Sequence, residues 1–148
     1  MTQEPSMVWR DEYSTGVSSI DVQHRALLVL LQEVRAVAVG PQVGRSADAE
    51  RQLQLERLND YAAYHFLAEE ALMREHLSGG AGAGADVAAH IAAHRAYWAN
   101  IAAWRQRCSD DGAAVWPEVL RYLECWWLLH IQQTDKALGQ RLNATGVR

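Results

Sequence analysis

His65-Phe66-Leu67-Ala68-Glu69-Glu70-Ala71-Leu72-Met73 is the stretch from which the fold can be read. An imidazole and a carboxylate four residues apart lie one above the other on a single helix face. Leu58, Ala62 and Leu72 share that face, so His65 and Glu69 stand on the stripe that turns toward a core. Polar groups there are costly unless something satisfies them. A core histidine bonded to a nearby carboxylate would suffice if this pair stood alone.

The same 3.6-residue spacing extends both ways from this stretch. It predicts helices over about 19–39, 47–77, 86–108 and 114–142. The first carries Ile20, His24, Leu27, Leu28, Leu31, Val34 and Ala38 inward, with Ser18 or Ser19 as its cap. The third carries Val87, His90, Ile91, His94, Tyr97, Trp98, Ile101 and Trp104, with Asp86 as its cap. The fourth carries Val119, Leu120, Leu123, Trp126, Trp127, His130, Ile131, Thr134 and Leu138, and Pro117 fits only its first turn. Gly40-Pro41, the Gly/Ala-rich link 78–85 and Ser109-Asp110-Asp111-Gly112 separate the helices. No apolar stretch alternates as a strand would. Four long helices on short links imply an all-α, antiparallel up-down-up-down four-helix bundle. Residues 1–18, with Trp9, Tyr13 and Val17 as apolar anchors, form an extended N-terminal arm lying across it. The length of 148 residues suits one domain over 1–148.

Composition narrows the function. With 49% hydrophobic and 22% charged residues, the chain has the balance of a packed globular protein. A net charge of −4 without a basic run gives nucleic-acid binding little electrostatic support. No run approaches the ~20 apolar residues that span a bilayer. The N-terminus lacks the basic-then-apolar pattern of a signal peptide. Two cysteines, Cys108 and Cys125, make no disulfide framework or zinc spacing, which places the chain in a reducing cytoplasm. Both are expected to be small buried hydrophobes.

Five of the six histidines lie on inward stripes: His24, His65, His90, His94 and His130. Helical rise puts all five toward one end of an antiparallel bundle, at similar depth. Glu69 and Asp135 join them. Five imidazoles buried without metal would leave many ring nitrogens unpaired, at about 1–3 kcal/mol each. These seven residues are too many for one zinc ion, which takes four ligands. They suit two six-coordinate first-row ions bridged by the two carboxylates and one solvent-derived atom, with one position left open. The nitrogen-rich set favours iron over magnesium or calcium. Glu-x-x-His pairs, the mark of carboxylate-rich di-iron enzymes, are absent, which favours reversible binding over oxidation.

The sequence resembles the hemerythrin family, in its bacterial single-domain form. The resemblance rests on Trp9 to Gly16, Ile20-Asp21-Val22-Gln23-His24, His65 to Met73, His90-Ile91-Ala92-Ala93-His94, and Trp127 to Asp135, in the family's order. It implies that His90, His94 and His130 hold one iron and His24 and His65 the other. Glu69, Asp135 and an oxo or hydroxo group would bridge the two. It further implies that O2 is the ligand, bound reversibly at the two-histidine iron by an oxygen carrier, store or delivery protein, not an enzyme. The alternatives are a sensor of O2, nitric oxide or redox state acting through a partner, or a di-iron oxidoreductase. Leu27, Leu28, Phe66, Trp127 and Ile131 neighbour the ligands and are expected to keep the surroundings apolar.

Two local expectations follow. His130 and Asp135 are five apart, roughly 140° around an ideal helix, so the fourth helix must widen into a π-type turn between them. Glu70 points about 100° from Glu69, which makes it a solvated or supporting residue and not a ligand.

Overall fold

The stripes assemble into four antiparallel rods, described in a computed structural model over residues 7–41, 43–79 and 83–148. Helix α1 spans Ser18–Ala38, α2 Arg45–His76, and α3 Ala83–Asp111. The fourth rod is α4 (Trp116–Leu129), a π-turn at His130–Asp135, and α5 (Lys136–Ala144). No described residue lies in a strand. The widening expected from the five-residue spacing is therefore present, at the residues that required it.

Cross-helix pairs give the directions. Gln23 meets His65 and Glu33 meets Arg57, so α1 and α2 run oppositely. Glu70 meets His94 and Glu56 meets Arg105 between α2 and α3. Asp86 meets Arg141 and Arg107 meets Glu118 between α3 and the fourth rod. His24 meets Asp135 and Arg35 meets Glu124 where the fourth rod returns to α1.

Several boundaries differ from the sequence reading, each for a local reason. Ser18 and Ser19 do not cap α1, whose N-cap is Val17. Asp21 instead reaches back and accepts bonds from Ser14 Oγ (2.6 Å), Thr15 N–H (2.8 Å) and Thr15 Oγ1 (2.8 Å). α3 begins at Ala83, so Gly84 and Ala85 belong to the helix and Asp86 sits inside its first turn. Residues 80–82 of the expected link lie outside the described residues. At its other end α3 runs on to Asp111, because Gln106–Asp110 and Arg107–Asp111 pairs one turn apart hold the last turn. Gly112, at φ +63°, makes the reversal there, and a short 3-10 turn (Gly112–Val115) leads into α4.

Residues 1–6 of the arm are outside the described part. From Met7 to Val17 it is extended apart from one 3-10 turn, Asp11–Tyr13. Gln32 donates to the Met7 carbonyl, Arg25 stacks 4.3 Å over Trp9, and Lys136 donates to the Glu12 carbonyl. The arm packs tightly against Gly139, where a Cβ would overlap the Thr15 carbonyl oxygen and stand 2.7 Å from Thr15 Cβ. Beside it Gly16 turns at φ +78°, and Asn143 Nδ2 donates to its carbonyl at 2.9 Å.

The core divides into two apolar clusters. The larger includes Leu27, Leu28, Leu31, Leu58, Phe66, Tyr97, Leu123, Trp127 and Ile131. The smaller, at the other end, is Val17, Ile20, Met73, Leu77, Leu138 and Leu142. Between them every rod places histidine or carboxylate: His24 between Ile20 and Leu27, Glu69 between Phe66 and Met73, Asp135 between Ile131 and Leu138. Cys108 is buried as expected, but Cys125 is exposed. It follows Glu124, which turns inward to Arg35, and so it faces out beside Trp104, Tyr122 and Leu129.

Candidate metal centre

The seven candidate residues converge in this polar layer, and each is at most 4% exposed. Their ligand atoms fall into two overlapping groups within 4.8 Å. One is Glu69, His90, His94 and His130; the other is His24, His65, Glu69 and Asp135. Glu69 thus belongs to both. Its Oε2 lies 3.5 Å from His65 Nε2 and 3.2 Å from Nε2 of both His90 and His94.

Asp135 joins the groups through different oxygens. Oδ1 faces His130 Nε2 at 2.9 Å and His90 Nε2 at 3.2 Å. Oδ2 faces His24 Nε2 at 2.8 Å and His65 Nε2 at 3.5 Å. The π-turn makes this possible. With ideal α geometry Asp135 would be rotated away from His130, whereas one extra residue in the turn returns it to the same face.

Charge in the layer is strongly coupled. Burial drives the Glu69 carboxyl up and Asp135 adds to this, but His65, His90 and His94 outweigh both and hold it below the usual carboxylate range. Burial likewise opposes ionisation of Asp135, yet His130, His24 and His65 hold it well below its ordinary value. Burial disfavours protonation of His90, but Asp135 and Glu69 raise it to about 9. His65 moves up as well, since Glu69 and Asp135 outweigh its burial.

These residues fit metal ions better than they fit one another. Nε2 of His65, His94 and His130, Oε1 of Glu69 and Oδ1 of Asp135 are buried and make no well-directed hydrogen bond, even where an oppositely charged atom lies within about 3.5 Å. Native interiors rarely tolerate so many unsatisfied polar atoms together. Ligands about 2.1 Å from a first-row ion and at right angles to one another are themselves about 3 Å apart. The separations above, 2.8–3.5 Å, have that scale.

Two supporting residues complete the layer. His65 Nδ1 bonds Gln23 Oε1 at 2.7 Å, and His94 Nδ1 bonds Glu70 Oε1 at 2.9 Å. Glu70 is the supporting residue that its direction allowed. Gln23 had no role assigned from the sequence, although its place between Ile20 and Leu27 at the edge of the inward stripe was a usable signal. His76, beside Glu75, stands apart from the group. Aromatic rings wall the larger-cluster side. Phe66 stacks on His94 (3.9 Å between centroids), and Trp126 stacks on His130 (4.4 Å).

A helical bundle with a buried histidine–carboxylate layer able to hold metal defines a metal-binding bundle protein. Residues 15–142 match the hemerythrin HHE cation binding domain, and the chain belongs to that family. A bacteriohemerythrin of Stenotrophomonas maltophilia (strain R551-3) is 30% identical over 139 residues, covering 93% of this chain and 82% of that protein. One of Methylococcus capsulatus (strain Bath) is 28% identical over 139 residues, covering 93% and 98%. A crystal structure of a hemerythrin bearing a leucine-to-tyrosine substitution superposes with a TM-score of 0.75 at 26% identity, covering 96% of this chain and 98% of that one.

Proposed function

We propose that this chain binds O2 reversibly at a pair of non-heme irons and serves as an oxygen carrier, store or delivery protein, not as an enzyme. His90, His94 and His130 would hold one iron and His24 and His65 the other, with Glu69 and Asp135 shared. The observation that carries this reading is the placement of Asp135, whose two oxygens face different histidine pairs. Glu69, common to both ligand groups, supports the same pairing. When bound, the ferrous pair supplies the electrons and the open position that O2 binding needs.

The chain's own residues do the rest. Leu27, Leu28, Phe66, Trp127 and Ile131 are buried around the layer and exclude water, which protects a reduced metal from irreversible oxidation. Gln23 and Glu70 fix the rings of His65 and His94 with Nε2 turned inward. No helix among the described residues is long and apolar enough to cross a membrane. With both cysteines free, we place the protein in the cytoplasm.

The test is iron analysis followed by anaerobic reduction and exposure to air, watched by visible absorption. Two irons per chain and a colour change that reverses on removing O2 are expected. Rapid oxidation that does not reverse would overturn the carrier reading. His65→Ala should abolish the O2 response while the three-histidine group still takes up metal.

A further inference from the structure

The two halves of the layer differ in what backs their histidines. His94 Nδ1 lies 2.9 Å from the Glu70 carboxylate, which can only accept, so Nδ1–H donates outward and leaves Nε2 turned to the layer. His65 Nδ1 lies 2.7 Å from the amide oxygen of Gln23, an acceptor too, so its Nδ1–H also donates outward, but to a neutral group. Both bonds are short and both rings are buried, but the acceptors differ in two ways: Glu70 is charged and 28% exposed, whereas Gln23 is neutral and buried. Glu70 follows Glu69 on α2. The ~100° step between neighbours sends Glu69 into the layer and Glu70 across to α3.

We infer that Glu70 and Gln23 are opposed positioning residues that make the two metal sites unequal: Glu70 tightens the His90/His94/His130 site, and Gln23 keeps the His24/His65 site the weaker and more easily reduced. A carboxylate accepting the outer N–H leaves more electron density on the ring's metal-facing nitrogen, and a neutral amide does so far less. The fully ligated site thus gains a firm anchor. The site with the open position keeps a softer hold, which suits an ion that must return to the ferrous state. The inference rests on the two-iron reading above.

The test is anaerobic titration of the metal-free chain with ferrous iron against a competing chelator. The wild-type chain should take up two irons with separate affinities. Glu70→Gln keeps the size and an acceptor oxygen but removes the charge; it should weaken the tighter step about 10–100-fold and leave the looser one in place. Gln23→Glu should strengthen the looser step and narrow the gap. Glu70→Ala separates charge from position. If Glu70→Gln binds iron like wild type while Glu70→Ala does not, the role is positional only and the inference falls. It falls equally if Glu70→Gln shifts both steps alike. If wild type takes up no iron, the two-iron reading itself fails. Melting curves of the metal-free variants, expected within a few degrees of wild type, exclude a general loss of folding, and a large drop for Glu70→Gln would overturn the assignment.

Discussion

Phe66→Ala tests whether the aromatic wall beside the layer carries stability as well as shielding. The ring is buried and stacks on His94 at 3.9 Å and on Trp127 at 5.5 Å. Tyr97, Trp98 and Trp126 meet it edge-on at 5.6–5.9 Å. A buried Phe→Ala change costs about 3–5 kcal/mol, and the upper part applies where the surroundings cannot collapse. They cannot do so easily here. Tyr97 donates to Asn59 at 2.8 Å and Trp127 Nε1 leans on the Tyr97 hydroxyl at 3.4 Å, so both rings are tethered. About 4–5 kcal/mol is therefore expected, which lowers the melting temperature by roughly 8–20 °C for a chain of this size. The assay is thermal unfolding by circular dichroism on the metal-free chain, since bound metal would add its own stabilisation. Phe66→Leu, which refills most of the space, should lose less than half as much. In the loaded protein the cavity admits water beside His94, and Phe66→Ala should oxidise faster in air. A drop under about 4 °C for Phe66→Ala would refute the tethered-wall argument.

Two further outcomes follow from packing and charge. Gly139→Ala should destabilise by about 2–3 kcal/mol, although the same swap in an open helix would stabilise, because the new methyl overlaps the Thr15 backbone carbonyl. Limited proteolysis should then cut the arm between Met7 and Val17 faster, and a rise in melting temperature would contradict the docking. In the metal-free chain the raised His90 contributes stability that is complete below about pH 6.5 and is lost as pH rises through about 9. The lowered Glu69 and Asp135 contribute above their ordinary values of 4.5 and 3.8 and lose that contribution as pH falls. Melting temperature against pH should peak between about 4.5 and 6.5, and a metal-free chain most stable above pH 9 would refute the charge balance described.

The helical period determined most of the residues that turn inward, though Met73 is buried where Leu72 was expected and Gln23, Asn59 and Glu124 are buried beside the stripes. It therefore determined the four rods, while the short links between them gave the antiparallel order and the rise per residue set the histidines at one depth. The five-residue gap from His130 to Asp135 even required the π-turn, because no regular α-helix puts both on one face. Periodicity fixes a face, not a partner. Only the tertiary structure decided that Asp135 divides its oxygens between histidine pairs, that Glu70 backs His94 and Gln23 backs His65, and that Gly139 admits the arm. Each of these depends on how far one helix is rotated and slid against its neighbour, which packing of the whole core sets. The same rotation exposed Cys125, which composition alone had placed inside, and it let Asp21 secure the arm where a serine cap was expected.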